Sequence, residues 1–318
     1  MKILVIHKVH TVFAKLLTNA GYLVEEKLGL SRKEILDLLP NYDGLIVRSA
    51  LKIDKEVIDI GCNLKLIGRL GAGMENIDSN YAISKNIKLL NAPEGNRSAV
   101  GEHTVGMLLS LFNNLNKADK EVRNGIWHRE ENRGEEIEGK TIGIIGYGNM
   151  GGAFARKISG FRANVIAYDK YKTNYSDNYV KEVNLEHLLK YADIISLHVP
   201  LQEDTFHMVN QRFINSCKNG VYIVNTARGA VIDTQELVIG IKNNKIKGAC
   251  LDVLEYEGMS FEDINSNKIN ENFEFLTKVK NVILSPHIAG WTHQSNEKMA
   301  VVLAEKIIFS FNKNRLYL

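Results

Sequence analysis

Two parallel-sheet α/β domains are predicted for this 318-residue chain by three observations. Short apolar runs alternate with helical stretches from one end to the other. A glycine-rich turn at 146–151 joins a strand to a helix. Three polar clusters, NTARG (225–229), DVLEYEG (252–258) and SPHIAG (285–290), each follow a compact apolar run. Strand–helix alternation signals a parallel sheet. Apolar runs of four to six residues bounded by polar, Gly or Pro residues read as strands buried on both faces.

Taken in order, KILVIH is a first strand, and SRKEILDLLP is a helix that Ser31 can cap. DGLIVRSA, KLIGRLGAG and IKLLNAPEG give a second, third and fourth strand, completing a small parallel domain before residue 98. A long, mostly buried helix is expected from about Ser98 to Asn124, with Val100, Val105, Met107, Leu108, Leu109, Leu111 and Leu115 as its apolar residues. It links the first domain to a second that starts near Gly139. After SPHIAGWT, the stretch NEKMAVVLAEKIIFSFNKN reads as a helix returning to the first domain. The expected division is therefore 1–97 plus 291–318, and 98–290.

The second domain carries a nucleotide signature. GKTIGIIGYGNMG (139–151) is a strand, Thr141–Ile145, running into Gly146-x-Gly148-x-x-Gly151, with the helical GAFARKISGF behind it. Gly146 permits the tight turn, Gly148 lets backbone amides approach a pyrophosphate, and Gly151 lets helix and strand pack closely. The helix N-terminus favours the phosphate charge. The next strand, NVIAYD, ends in Asp169, eighteen residues after Gly151 and able to accept from ribose hydroxyls. This is a Rossmann-type dinucleotide site. A carboxylate at 169 repels a 2′-phosphate, so NAD is favoured over NADP, a preference that Lys170 and Lys172 soften.

In open α/β sheets, chemistry sits beyond the carboxyl ends of the strands. The three clusters place Arg228, Glu257 and His287 there: an anion clamp, a carboxylate and a proton carrier, a set suited to redox chemistry on a small acid. Three of the four prolines, Pro93, Pro200 and Pro286, fall at the ends of such runs and fix the chain direction.

Composition narrows the class. A net charge of +3 without a basic stripe argues against a nucleic-acid partner. Three scattered cysteines, Cys62, Cys217 and Cys250, form neither a disulfide framework nor a metal site. There is no run long and apolar enough for a membrane span, and MKILVIHKVH reads as a strand and not a secretion signal, so a cytoplasmic protein is expected.

The motifs NAPEGNRSAVGEHTVGMLL, GYGNMG…D, HVPLQEDTFHMVN, NTARGAVID, LDVLEYE and SPHIAGWT occur in the order seen in the D-isomer-specific 2-hydroxyacid dehydrogenases. The sequence resembles that family over nearly its whole length, and most of all its short-form D-3-phosphoglycerate dehydrogenase branch. The resemblance implies two similar α/β domains with the active site in the cleft between them, a homodimer, and hydride transfer between NAD(H) and a D-2-hydroxy acid or 2-keto acid. Arg228 would grip the substrate carboxylate and polarise the keto oxygen, a job that suits a planar, permanently charged fork. His287 would exchange the proton. Glu257 would bind the other imidazole nitrogen, stabilise the imidazolium and raise the histidine pKa. Glu255 competes for that role, and the family spacing from Asp252 selects Glu257.

Further roles follow from the same likeness. Asn149 and Met150 sit in the phosphate loop, Val199, Pro200 and Thr205 lie along the cofactor, and Thr226, Ala227 and Gly290 line the nicotinamide side. Asp252 would take the carboxamide. The backbone at Gly71, Ala72 and Gly73 would bind the substrate carboxylate, and Arg48 and Ser49 its distal part. His7, His10, His103 and His198 are expected to be helix, loop or packing residues.

Two departures stand out: Gly258 replaces the proline that commonly follows the catalytic Glu, and 259–279 is longer and more polar than usual, which predicts a loose loop over 252–280. The short form lacks the C-terminal small-molecule-binding domain of longer members, so serine inhibition by that route is not expected. Three functions stay open. The first is a D-3-phosphoglycerate dehydrogenase of serine biosynthesis. The second is a glyoxylate or hydroxypyruvate reductase, or another D-2-hydroxyacid dehydrogenase. The third is an NAD(H)-sensing scaffold like the dehydrogenase-fold corepressors. The first two differ in whether cations such as Arg48, Arg69, Arg97, Arg123, Arg129 and Arg133 converge on a substrate phosphate.

Overall fold

The alternation of apolar runs resolves into two all-parallel sheets in a computed structural model, which describes residues 1–258, 264–265 and 269–311. The first compact unit holds residues 1–96 and 291–311; the second holds 97–258, 264–265 and 269–290.

The first unit runs β1 (Lys2–Val5), α1 (Val12–Asn19), β2 (Leu23–Glu26), α2 (Arg32–Leu38), β3 (Gly44–Val47), α3 (Lys55–Ile60), β4 (Leu66–Arg69), α4 (Ser79–Ser84) and β5 (Lys88–Asn91), then enters α5 (Pro93–Phe112). Its sheet has the order β2-β1-β3-β4-β5. Successive residues of a strand face opposite sides, and here both sides are apolar. Leu4, Leu45 and Ile67 enter one core, while Ile3, Ile46 and Leu66 enter the other. That is why these strands read as unbroken apolar runs. Ser31 caps α2 in a capping box with Glu34.

The second unit continues with α6 (Leu115–Arg123), β6 (Thr141–Ile145), α7 (Asn149–Ile158), β7 (Asn164–Tyr168), β8 (Lys181–Glu182), α8 (Leu185–Tyr191) and β9 (Ile194–Leu197). It goes on through α9 (Gln211–Ser216), β10 (Val221–Asn225), α10 (Thr234–Lys242), β11 (Ile246–Leu251), α11 (Glu271–Lys278) and β12 (Val282–Leu284). The final helix, α12 (His293–Phe311), belongs to the first unit, where Met299, Leu303 and Ile307 are buried against the β1–β3–β4 face. Burying each of these is worth roughly 1.5–3 kcal/mol. The second sheet has the order β12-β11-β10-β9-β6-β7-β8. Chain order reverses between β6 and β9, the switch point at which such sheets bind ligands.

Three expectations need correction. The first sheet has five strands, because LVEE (β2) pairs at its edge, largely solvated and without an apolar run to reveal it. The long helix expected over 98–124 is two helices. Helix α5 starts earlier, at Pro93, and the chain breaks at Asn113–Asn114, where Asn114 takes φ +53°, a left-handed turn that asparagine tolerates. Leu115, expected in the buried face, is exposed. The stretch 259–279 is not loop throughout: Asn270 caps α11 by accepting from the Asn272 and Phe273 N–H groups. Residues 259–263 and 266–268 of that segment lie outside the described residues. No described helix is long and apolar enough to cross a membrane, and no group of three or more metal-ligating side chains is present among the described residues.

Within the first unit, Gly95 on α5 lies against the backbone of Met299, and an added Cβ would overlap the Met299 nitrogen. Gly106 on the same helix faces open space. Gly95→Ala should therefore lower the unfolding free energy by roughly 1–3 kcal/mol. Gly106→Ala should leave it unchanged or raise it by up to about 1 kcal/mol. Denaturant unfolding of the two variants checks the contrast.

Candidate functional site

The glycine loop follows β6 with the expected geometry. Gly146 has φ +92°, and a side chain there would meet the His198 carbonyl oxygen at 2.6 Å. Gly151 packs on the Gly146 carbonyl, so any Cβ would overlap it, and Gly148, the residue capping α7, faces open space. Asn149 and Met150 form the first turn of α7. Asp169, just past β7, accepts from the Tyr147 N–H at 2.9 Å through one oxygen and from Tyr171 and Lys172 N–H at 3.0 and 3.1 Å through the other. Its carboxylate thus braces the glycine loop. A turn that only glycine can follow, beside an amide-rich helix start, fits a dinucleotide pyrophosphate.

The neighbouring strand ends are equally ordered. After β9, the Thr205 hydroxyl donates to the Pro200 carbonyl at 2.7 Å and accepts from Gln202 N–H at 2.8 Å, closing the turn that carries Val199 and Pro200. His198 Nε2 lies 2.8 Å from Ser196 Oγ, and its Nδ1 is buried without a hydrogen-bond partner among the described residues. Burial pushes this histidine down to about pKa 3, so it stays neutral and is a packing residue, not a second proton carrier. Burial likewise pushes Cys217 up to about 12 and raises Cys250 further, so both are inert thiols.

After β10, the fully buried Asn225 organises NTARG. Its Oδ1 accepts from Ala227 N–H at 3.0 Å, and its Nδ2 donates to the Arg228 carbonyl at 2.9 Å. Thr226 Oγ1 lies 3.4 Å from Thr104 Oγ1. Arg228 Nη1 donates to the Ala227 carbonyl at 2.6 Å.

After β11 and β12, the buried Asp252 is the hub. It accepts from Ser285 Oγ at 2.6 Å and Ile288 N–H at 2.9 Å on one oxygen, and from Ala289 N–H at 2.8 Å on the other. His287 N–H donates to the Asp252 backbone carbonyl at 2.7 Å. Within this turn His287 adopts φ +56° and directs Nδ1 to 2.7 Å from Glu257 Oε2, while Glu257 Oε1 accepts from Leu254 N–H at 2.6 Å. Both side chains are mostly buried. Nδ1 is committed to the carboxylate, which fixes the tautomer. Burial pushes the Asp252 carboxyl up, but bonds from His103, Ser285 and the Ala289 and Ile288 amides outweigh it and hold it below the ordinary 3.8. His103, read from the sequence as a plain helix residue, reaches Ser285 Oγ at 2.9 Å and so joins this network. Ser285 is 182 residues away, which no local pattern could reveal.

In the first unit, Arg48 and Ser49 follow β3 beside the switch point of that sheet. Arg48 Nη2 donates to Asn296 Oδ1 at 2.6 Å, and the guanidinium lies over the Trp291 ring at 4.8 Å. The Arg69 guanidinium packs against Gly71, and Asn91 Nδ2 donates to the Ala72 carbonyl at 2.6 Å next to Gly73. Of the other arginines considered for a phosphate, Arg123 pairs with Asp119 and Arg133 with Glu130 on the surface.

Residues 105–289 match the model of the D-isomer specific 2-hydroxyacid dehydrogenase NAD binding domain. The chain is 36% identical over 310 residues to a D-3-phosphoglycerate dehydrogenase of Archaeoglobus fulgidus, covering 97% of this chain but 57% of that protein. It is 37% identical over 293 residues to a hydroxypyruvate reductase of Thermotoga maritima, covering 92% of each. Among solved structures, the D-lactate dehydrogenase of Aquifex aeolicus complexed with NAD and lactic acid superposes with a TM-score of 0.83 at 28% identity, over 99% of this chain and 96% of that one.

Because the folded pKa of Asp252 is depressed, its ionised form stabilises the fold above the unfolded value near 3.8, and this is lost as pH falls through the lower folded value. Asp252→Asn should therefore be destabilised most at neutral pH, and the gap to wild type should close in acid. Unfolding free energies of both proteins between about pH 3 and 7 check this; a gap independent of pH would remove the carboxylate charge from the account.

Proposed function

The chain belongs to the D-isomer specific 2-hydroxyacid dehydrogenases, and on that premise we propose that it interconverts a D-2-hydroxy acid and its 2-keto acid, with 3-phosphoglycerate and 3-phosphohydroxypyruvate as the preferred pair. The observation that carries the reaction class is the His287–Glu257 pair, 2.7 Å apart at the end of a parallel strand. Bound NAD(H) supplies or removes the hydride at the carbon that bears the oxygen. In reduction, His287 gives a proton from Nε2 to the carbonyl oxygen, and Glu257 stabilises the imidazolium that precedes transfer. In oxidation, the neutral imidazole takes that proton back. Arg228 holds the substrate carboxylate and polarises the keto oxygen, for which its fixed planar fork is suited.

The cofactor roles extend over Gly146, Gly148, Asn149, Met150 and Gly151 at the pyrophosphate. Asp169 holds the ribose and favours NAD over NADP. Val199, Pro200 and Thr205 run along the cofactor, with Thr226, Ala227, Asp252 and Gly290 at the nicotinamide. The backbone of Gly71, Ala72 and Gly73, with Arg48 and Ser49, is assigned to substrate on the family likeness. A serine-biosynthetic role and a homodimer complete the reading. The names of the relatives support two substrates, a phosphorylated hydroxy acid and an unphosphorylated keto acid.

Steady-state NADH oxidation with 3-phosphohydroxypyruvate, hydroxypyruvate and glyoxylate in parallel tests the substrate. The phosphorylated acid should win on kcat/KM by about 10²-fold, the scale of one or two charged contacts. Equal or better turnover of the other two makes the protein a broader 2-keto acid reductase. His287→Ala should slow reduction by roughly 10²–10⁴-fold with NADH affinity nearly intact, as for a general acid. Undiminished turnover would move the proton donor elsewhere. Sedimentation equilibrium at twice the 35.8 kDa chain mass checks the dimer.

A further inference from the structure

Glu255 stands two residues before Glu257, and its carboxylate is as fully engaged as the catalytic one. One oxygen accepts from His207 Nε2–H at 2.5 Å, and the other accepts from the Thr234 N–H at 2.8 Å and from the Thr234 hydroxyl. Both His207 and Glu255 are mostly shielded from solvent. His207 is further fixed by its own backbone, whose N–H donates to the Ala230 carbonyl at 2.8 Å, by Asp233 3.7 Å from Nδ1, and by the stacked Phe206 ring. Its φ is +48°, a conformation costing about 1–3 kcal/mol for a residue with a side chain, which persists only where the surroundings over-determine it.

These contacts join three loops that the sheet order sets side by side: 205–209 after β9, 228–234 after β10 and 252–257 after β11. A fourth contact tightens the group. Gly229 lies so close to the Leu254–Glu255 peptide that any side chain there would overlap it, with Glu255 N only 2.5 Å from the added Cβ. The loop after β10 carries Arg228, and the loop after β11 carries Glu257. The strands fix where each loop starts but not the separation of their outer ends, and Glu255 bridges those ends.

We propose that Glu255, clamped by His207 and Thr234, is a positioning residue that sets the distance between Arg228 and the Glu257–His287 pair. It acts through the loop that holds Glu257. The proposal rests on the dehydrogenase reading of that pair, and its test separates the two.

The experiment uses the full chain with NADH and a 2-keto acid, comparing wild type with Glu255→Ala, Glu255→Gln and His207→Asn. Glu255→Ala should lower kcat by roughly 10- to 100-fold, the scale of an ångström-level misplacement, while the KM for NADH changes less than about twofold. Glu255→Gln can still accept from Thr234 and should recover most of the loss. The second readout needs no substrate: the downfield proton resonance of the His287 Nδ1–H, assigned by its disappearance in His287→Ala, reports the bond to Glu257. It should shift or broaden in Glu255→Ala and His207→Asn and return in Glu255→Gln. If Glu255→Ala does not fold, His207→Asn carries both readouts. A fall in kcat with the resonance unchanged, or wild-type kcat and resonance together, overturns the clamp. If wild type reduces no keto acid, the dehydrogenase reading fails, and the resonance alone then decides whether the clamp positions Glu257.

Discussion

The site depends on one buried carboxylate. Asp252 is 2% exposed, and through its two oxygens it gathers the Ser285 hydroxyl and the Ile288 and Ala289 amides, while its carbonyl takes the His287 amide. A charge in that position is tolerable only because it is fully hydrogen-bonded. The turn it imposes holds His287 at φ +56°, a conformation that costs about 1–3 kcal/mol. Each of the bonds it satisfies would leave a buried donor unpaired if removed, at about 1–3 kcal/mol apiece, so several bonds outweigh one strained residue. From that turn the imidazole reaches Glu257, and from the Glu257 loop follow the contacts to Arg228's turn. The family likeness assigns Asp252 to the cofactor; in this chain its first physical effect is to build the loop that carries His287.

The fold was legible where both faces of a strand are apolar. Val221–Asn225, nearly all of Thr141–Ile145 and the last four residues of Ile246–Leu251 announce themselves because both sides are buried there. LVEE at 23–26 does not, because an edge strand is held by backbone bonds its side chains do not advertise. The break between α5 and α6 hid for a related reason. Asn114 interrupts the helix by turning left-handed, but helix propensity alone gives only a weak penalty for asparagine.

The site was legible in its side chains and illegible in its scaffolding. Arg228, Glu257 and His287 stand out because their chemistry is specific and they lie close behind apolar runs, and the structure pairs Glu257 with His287. Asn225, His103 and Glu255 could not, since their partners are backbone groups or residues far away in sequence. Glu255 and Glu257 look interchangeable in the sequence. The structure separates them by partner: Glu257 meets His287 of the SPHIAG turn, and Glu255 meets His207 and the start of α10.

Substrate choice is a separate matter from this machinery, because the role proposed for these loops is to bind what all 2-keto acids have in common. Arg48, held against Trp291 and Asn296 in the first unit, belongs to no such shared set. If Arg228, Glu257 and His287 form a stereospecific keto-acid reduction site, the configuration of the product reveals it. Reduction of hydroxypyruvate by NADH, followed by chiral chromatography of the hydroxy acid, should give the D-isomer alone. A racemic or L product, or NADH that binds and is never oxidised, would contradict it.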